Sequence, residues 1–434
     1  MNNREFVRRR HALMRLMGKG GIAILPAAPA RLRNRDVEYP YRQDSDFQYL
    51  SGFAEPEAVL VLVPGREQGE FVLFCRDPDP AREIWDGKRA GPAGAIREFG
   101  ADDAFPINDI DEILPGMIEQ CDRVYYTMGT HPDFDSKLIG WVTDLRSRGG
   151  AHAPEEFIAL DPMLHDLRLF KSRSEISAIK KAVNIAVGAH RRAMAFCRPG
   201  IHEYELEAEY IHEFRRNAVG CSYQPIVGGG ANACVLHYVQ NNQPLRDGDL
   251  VLADVGCEYD YYASDITRTW PVNGRFSPEQ RQIYDIVLQA HNAALEMIAP
   301  GRHWNDPHDA AVRVITKGLQ RVGLLKGDLR TLLSKQSYRR FFMHRTGHWL
   351  GMDVHDVGDY KVSDHWRLLE PGMVLTVEPG IYLPDNRTVP KKWRGIGIRI
   401  EDDVLVTADG HEVLSKALPV DPDEIERLMG AVAA

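Results

Sequence analysis

Leu250-Val251-Leu252-Ala253-Asp254-Val255-Gly256-Cys257 and Ser264-Asp265-Ile266-Thr267-Arg268-Thr269 are two largely apolar runs joined through a turn around Tyr259 and Asp260, the pattern of a β-hairpin. If the turn centres there, Asp254 and Asp265 stand opposite one another with Cβ atoms ~5 Å apart, where like charges destabilise the pair. Something positive should compensate. A buried acid is either framed by hydrogen bonds or bound to a cation, and these two residues alone leave both roles open.

The C-terminal quarter repeats the theme. In Met373-Val374-Leu375-Thr376-Val377-Glu378-Pro379-Gly380, alternation places Val374, Thr376 and Glu378 on one face, and Pro379-Gly380 ends the strand with Glu378 at its mouth. In Gly395-Ile396-Gly397-Ile398-Arg399-Ile400-Glu401-Asp402 the isoleucines share one face while Arg399 and Glu401 share the other. Taken alone, that pair is an ordinary salt bridge. Together, four acids near apolar strands total about −4, which two divalent cations would balance.

Between these segments, Met343 to Asp356 carries His344, His348 and His355. His344 and His348 have zincin spacing, but Arg345 stands where H-E-x-x-H needs its glutamate, so a zincin is excluded. Beside the carboxylates, one histidine suits a metal ligand and others suit donors to a transition state. Such a donor set is mainly hard oxygen; it favours Mn²⁺ and tolerates Co²⁺, Fe²⁺ or Zn²⁺. Two ions could lower the pKa of a water and polarise a carbonyl, which is hydrolysis without a serine or cysteine nucleophile. No G-x-S-x-G elbow is present.

The 434 residues, 44% of them hydrophobic, suffice for two domains with cores of their own. Up to about residue 165, strands expected at Ala58 to Val63, Phe71 to Cys75 and Arg123 to Tyr126 alternate with helical stretches, an α/β domain. Ser172 and Glu175 suit a capping box opening a long helix that ends by Arg198-Pro199-Gly200. The basic stretch Arg168 to Arg173 before it reads as a linker, giving domains 1–170 and 171–434. A second helix follows from about Glu203, then a glycine-rich turn at Gly228-Gly229-Gly230 and a strand ending in Val235-Leu236-His237. Ser277-Pro278-Glu279-Gln280 caps a further helix.

With 53 Lys+Arg against 62 Asp+Glu, a formal net charge of −9, no basic block exists to neutralise phosphates, and nucleic acid is not an expected partner. No apolar run approaches the ~20 residues of a bilayer span, so no membrane association is expected. The opening residues, with Arg8, Arg9 and Arg10, lack the apolar core of a secretory signal and fit either a transit peptide or the first helix of a globular domain. Six cysteines without a C-x-x-C pair suit a reducing cytoplasm rather than a disulfide framework.

These residues together resemble the bacterial aminopeptidase P (Xaa-Pro aminopeptidase) family of pita-bread-fold metallopeptidases. The carriers are Asp254, Asp265, His348, Glu378 and Glu401 in order, the flanking Thr267-Arg268-Thr269, Val354-His355-Asp356 and Glu378-Pro379-Gly380, and the block Tyr39-Pro40-Tyr41-Arg42-Gln43-Asp44-Ser45-Asp46-Phe47 to Gly52-Phe53. The resemblance implies an α/β (α+β) chain: a creatinase/prolidase-type N-terminal α/β domain serving oligomerisation and substrate access, then a catalytic pita-bread domain.

It further implies that Asp254, Asp265, His348, Glu378 and Glu401 hold two metal ions, with Asp254 also receiving the substrate's amine and Glu378 a natural proton acceptor. His237, His344 and His355 would steady the carbonyl oxygen or leaving nitrogen, and Arg399 would orient the carboxylates. Trp85 resembles a tryptophan presented to a neighbouring subunit's site, implying a homotetramer, a dimer of dimers. The substrate would be a peptide with proline second, cleaved to release its first residue. Prolidase, which takes Xaa-Pro dipeptides, and a non-catalytic pita-bread binding protein are the alternatives. One departure stands out: many relatives carry His-Gly where this chain has His344-Arg345, and a glycine there could adopt backbone angles that Arg345 adopts only at a cost.

Overall fold

Gly21–Pro26, Val59–Leu62 and Phe71–Cys75 are almost wholly buried along their length, as expected of strands covered on both faces. They form the centre of a six-stranded mixed sheet in the order Asp103–Pro106, Phe71–Cys75, Val59–Leu62, Gly21–Pro26, Arg123–Tyr125, Glu156–Ile158. Ile22, Ile24, Val61, Val72 and Phe74 meet Leu114, Ile118, Leu138 and Trp141 of the covering helices. This computed structural model describes residues 3–430 and divides into two units, Met1–Leu167 and Arg168–Ala434. The basic opening is a helix, Asn3–Met17, in which Arg9 and Arg10 are buried and donate to the carbonyls of Tyr49 and Leu50.

In the second unit the capping box closes reciprocally: Glu175 N–H donates to Ser172 Oγ (3.3 Å) and Ser172 N–H to Glu175 Oε2 (2.9 Å). The helix it opens, Arg173–Phe196, packs against Glu203–Arg216, and the Ser277–Gln280 box opens Pro278–Leu295, which packs against Asp306–Arg321. Small antiparallel sheets complete the unit. Leu250–Asp254 lies between Ile226–Gly229 and Thr267–Pro271, Asp402–Thr407 between Val374–Val377 and Gly410–Val413, and Gly380–Leu383 pairs with Ile396–Arg399. Acidic residues sit at or just beyond the ends of these strands.

Two local expectations need correction. Asp254 pairs with Thr267, not Asp265, and the same register runs on to Glu258 with Ala263 and Tyr259 with Tyr262. The turn is therefore centred on Asp260 and Tyr261, both at positive φ (51° and 67°), the two-residue form whose twist matches the strands. A turn one step later places Asp265 diagonal to Asp254 on the same face, still within reach of shared partners. Second, Gly228 and Gly229 belong to the strand Ile226–Gly229; a Cβ on Gly228 would lie 2.9 Å from the Asn232 carbonyl carbon, so glycine is needed for close approach. The expected strand to His237 is instead a 3₁₀ helix, Gly230–Cys234, followed by a turn, because Gly230 (φ 53°) reverses the chain. Arg168 and Lys171, in the stretch read as a linker, are buried: Arg168 Nη2 lies 2.5 Å from Asp356 Oδ1 and Lys171 Nζ 2.9 Å from Asp356 Oδ2. No helix of the described residues is long and apolar enough to cross a membrane.

Candidate active site

The strand Leu250–Asp254 ends on Asp254 because its apolar run stops there, and its neighbour begins at Thr267, two residues beyond Asp265. Both carboxylates face Tyr223. The phenolic oxygen is 2.5 Å from Asp254 Oδ1 and 2.6 Å from Asp265 Oδ1. One hydroxyl hydrogen can satisfy only one of them, so the second carboxylate meets another oxygen lone pair. Burial, the Arg399 charge working against it and the Asp265 charge adding to it leave Asp254 above its usual range.

His348 stands against this pair from the loop preceding Trp349. Its Nε2 lies 3.3 Å from Asp265 Oδ2 and 3.8 Å from Glu378 Oε1, and its Nδ1 is 2.9 Å from the Trp349 carbonyl. With Nδ1–H donated to that carbonyl, Nε2 faces the carboxylates, and a metal ion bound there would take the place of the proton Nε2 shares with Asp265. Burial lowers the His348 pKa, but the hydrogen bond and charge of Asp265 and the charge of Glu378 outweigh it and push the value up to about 9. The same pairing holds Asp265 below its ordinary value against the opposing effect of burial.

Glu378 follows the strand Val374–Val377, and burial together with the charges of Asp265 and Asp254 raises it to about 7 despite His348 and Arg399. Glu401 lies between Ile396–Arg399 and Asp402–Thr407; burial and the charges of Asp265, Glu378 and Asp254 push it well above the carboxylate range. Its Oε2 accepts from Thr267 Oγ1 (2.6 Å) and its carbonyl from Arg268 Nη1 (2.6 Å). Ligand atoms of Asp265, His348 and Glu401 all lie within 4.8 Å of one another.

Arg399 knits the cluster. Its Nη2 donates to Asp254 Oδ2 (2.5 Å), Nε to Thr267 Oγ1 (3.0 Å) and Nη1 to Tyr382 Oη (2.9 Å), with Glu401 Oε2 at 4.0 Å from Nε. A planar fork is suited to three divergent acceptors where an ammonium is not. His344 Nε2 is 2.8 Å from Tyr382 Oη and its Nδ1 is 3.5 Å from Glu378 Oε2; burial and the Arg399 charge lower its pKa to about 3 and keep it neutral. The His355 ring stands 4.2 Å from that of His348, and burial with the His348 charge lowers it.

The four acids, Arg399, His344, His348 and His355, with His237, line one cavity of about 490 Å³, bounded on another side by Trp304, Tyr360 and Trp366. The arrangement therefore brings together all nine site residues read from the sequence. Tyr223, Tyr382 and the aromatic wall were not singled out by it, and no local pattern around them would have done so. Arg345 lies on the same cavity with a φ outside the left-handed region, so no backbone strain arises where a glycine was expected. Trp85 belongs to the N-terminal unit, on the short helix Pro80–Asp86, 86% exposed beside Ile84. A second trio, Asp46, Asp161 and His165, is half-buried in that unit, where Asp161 Oδ1 already accepts from the Thr127 hydroxyl.

The donor chemistry fits paired dications. Four buried carboxylates repel one another, two of them are driven upward in pKa, and Arg399 and His348 are the cations set directly against them among the described residues. Residues 177–408 match the model of metallopeptidase family M24, and residues 6–125 that of the aminopeptidase P N-terminal domain. The chain is 47% identical over 435 residues to the Xaa-Pro aminopeptidase of Escherichia coli (strain K12), covering 99% of this chain and 98% of that protein. Among solved structures it is similar to aminopeptidase PepP of Pseudomonas aeruginosa, with 60% identity, a TM-score of 0.98, and 100% and 99% of the two chains covered. It is likewise similar to a zinc-substituted E. coli aminopeptidase P in complex with product, at 46% identity, a TM-score of 0.97 and the same coverage.

Proposed function

Since the chain belongs to metallopeptidase family M24 and carries the N-terminal domain of aminopeptidase P ahead of a pita-bread domain, we propose that it is a dinuclear-metal aminopeptidase hydrolysing the N-terminal Xaa-Pro bond of peptides. The observation that carries this reading is the convergence of four carboxylates and one imidazole in a single cavity. The match to the aminopeptidase P N-terminal domain favours it over prolidase, and the presence of all five donors on one cavity favours it over a non-catalytic binding protein.

Asp254, Asp265, His348, Glu378 and Glu401 hold the two ions, and their oxygen-rich set suits Mn²⁺ best. Bound there, the ions supply a nucleophilic water at neutral pH and polarise the scissile carbonyl. The chain's own residues do the rest. Asp254, held by Arg399, presents a carboxylate to the substrate's amine. Glu378 faces the same cavity and is placed to take and return a proton at its carboxylate. His344, kept neutral with its Nδ1–H donated to the Arg345 carbonyl and its Nε2 facing Tyr382 Oη, adds no positive charge beside that amine, and His237 and His355 line the same space for the carbonyl oxygen or leaving nitrogen. A tertiary X-Pro amide has no N–H, so the site selects it by ring shape and has no amide proton to satisfy.

Exposed Trp85 and Ile84, on a helix with no buried residue, support a homotetramer in which the N-terminal domain serves assembly and substrate access. Division of labour at about residue 170, between assembly in 1–170 and catalysis in 171–434, belongs to the same proposal. Six unpaired thiols support a cytoplasmic location. The test compares Xaa-Pro, Xaa-Pro-Xaa and Xaa-Ala-Xaa peptides with Mn²⁺ present and after EDTA. Metal-dependent cleavage of the Xaa-Pro-Xaa peptide is expected. Turnover of the dipeptide alone would make it a prolidase, and chelator-insensitive turnover would remove the two-metal reading.

A further inference from the structure

Two arginines line the cavity, and they differ in what already neutralises them. Arg399 is paired with the Asp254 carboxylate and also donates to Thr267 and Tyr382. Among the described residues Arg345 has no carboxylate within ion-pair distance, though the charge of Asp309 acts on it from farther off; its guanidinium donates to Asn305 Oδ1 and lies 5.1 Å from the centre of the Trp366 ring. Trp366 also carries Lys361, whose Nζ is 4.7 Å from the ring centre. An arginine braced by an amide and an aromatic face loses little further freedom on binding, and most of its N–H donors are still unused.

Resting on the aminopeptidase reading, we propose that Arg345 is a specificity-determining residue: it binds the C-terminal carboxylate of short Xaa-Pro-Xaa substrates at the downstream end of the cavity. Charge decides which end this is. The substrate's free amine belongs to the residue before the scissile bond and is drawn to the acids, while a cation would repel it. The complementary group of a short peptide is its carboxylate, ~7 Å downstream of the scissile carbonyl in a tripeptide, a span suited to a cavity of about 490 Å³.

The experiment uses the Mn²⁺-loaded enzyme with one Xaa-Pro-Xaa peptide as the free acid and as the C-terminal amide, on wild type, Arg345→Ala and Arg345→Lys. Inhibition by the leaving dipeptide Pro-Xaa, as acid and amide, gives a binding readout free of turnover. Wild type is expected to favour the acid about tenfold in kcat/KM, through KM, and to bind the acid product tighter by the same factor. The preference falls to about one in Arg345→Ala and survives in part in Arg345→Lys. Equal cleavage of acid and amide by wild type, or an undiminished preference in Arg345→Ala, overturns the role of Arg345 and leaves the aminopeptidase standing. Cleavage of neither peptide overturns both. A preference that follows an acidic side chain and ignores amidation also overturns the C-terminal assignment.

Discussion

Replacing Arg399 by alanine should make the catalytic unit depend on metal for its stability. The guanidinium is the buried cation that touches Asp254 at 2.5 Å and approaches Glu401 at 4.0 Å, and its remaining nitrogens hold Thr267 and Tyr382. Removing one partner of a buried, hydrogen-bonded pair costs about 3–5 kcal/mol because the other charge is left uncompensated. For a unit of this size 1 kcal/mol moves the melting midpoint by roughly 2–4 °C, so the loss in EDTA is about 6–20 °C. The cost is largest at pH 8, above the raised pKa of Glu378 at about 7, and shrinks at pH 5 to 6, where protonation removes part of the repulsion. Paired dications would supply the missing charge, so saturating Mn²⁺ should recover most of the midpoint while kcat stays depressed, since the carboxylates have lost the fork that aims them. Differential scanning fluorimetry of wild type and Arg399→Ala, each with EDTA and with Mn²⁺ at pH 8 and pH 5.5, reads all four corners. A variant in EDTA at pH 8 that melts within about 2 °C of wild type would refute the compensation argument.

Asp265→Asn should abolish metal-dependent cleavage with the fold intact, because the amide keeps the shape and loses the charge that His348 and the metals need; unchanged turnover of an Xaa-Pro-Xaa peptide in Mn²⁺ buffer would contradict it. His355→Ala should lower kcat by ~10²-fold with metal content retained, as for loss of one donor to a developing oxyanion; equal loss of bound metal, measured by elemental analysis, would make it a ligand. His190 is buried and neutral, with Nδ1 2.8 Å from Tyr210 Oη and Nε2 3.1 Å from the Ile266 carbonyl, and burial, aided by the Arg268 charge, lowers its pKa to about 3. The unfolded chain takes up this proton near pH 6.5 and the folded one does not. Its contribution is therefore complete above pH 6.5 and is lost towards pH 3, at up to ~1.4 kcal/mol per pH unit. Urea midpoints at pH 7 and pH 5 should differ more for wild type than for His190→Asn, and equal differences would exclude His190 as a source of acid lability.

The alternation of the strands, the capping boxes at Ser172 and Ser277 and the run of acids at strand ends are local signals, carried by side-chain period and backbone caps within a few residues. A mixed α/β architecture and the acids of the candidate site were legible in them, whereas His237 came only with the family resemblance. Register was not legible. Whether Asp254 faces Asp265 or Thr267 depends on the left-handed turn at Asp260 and Tyr261, and a shift of one residue in the turn moves the partner by two. The glycines at 228 and 229 were misread for a related reason: the close approach they allow is to Asn232, which only the reversal at Gly230 brings back.

What the amino-acid sequence by itself determined is the donor chemistry, because ligand type and strand position are written residue by residue. Only the tertiary structure decided what those donors feel. The sharing of one Tyr223 hydroxyl by two carboxylates, the three acceptors of Arg399 and the bracing of Arg345 by Asn305 all join segments far apart in the chain. Burial and charge act through space at a few ångströms, so the pKa values and the cavity's polarity exist only once those segments have packed.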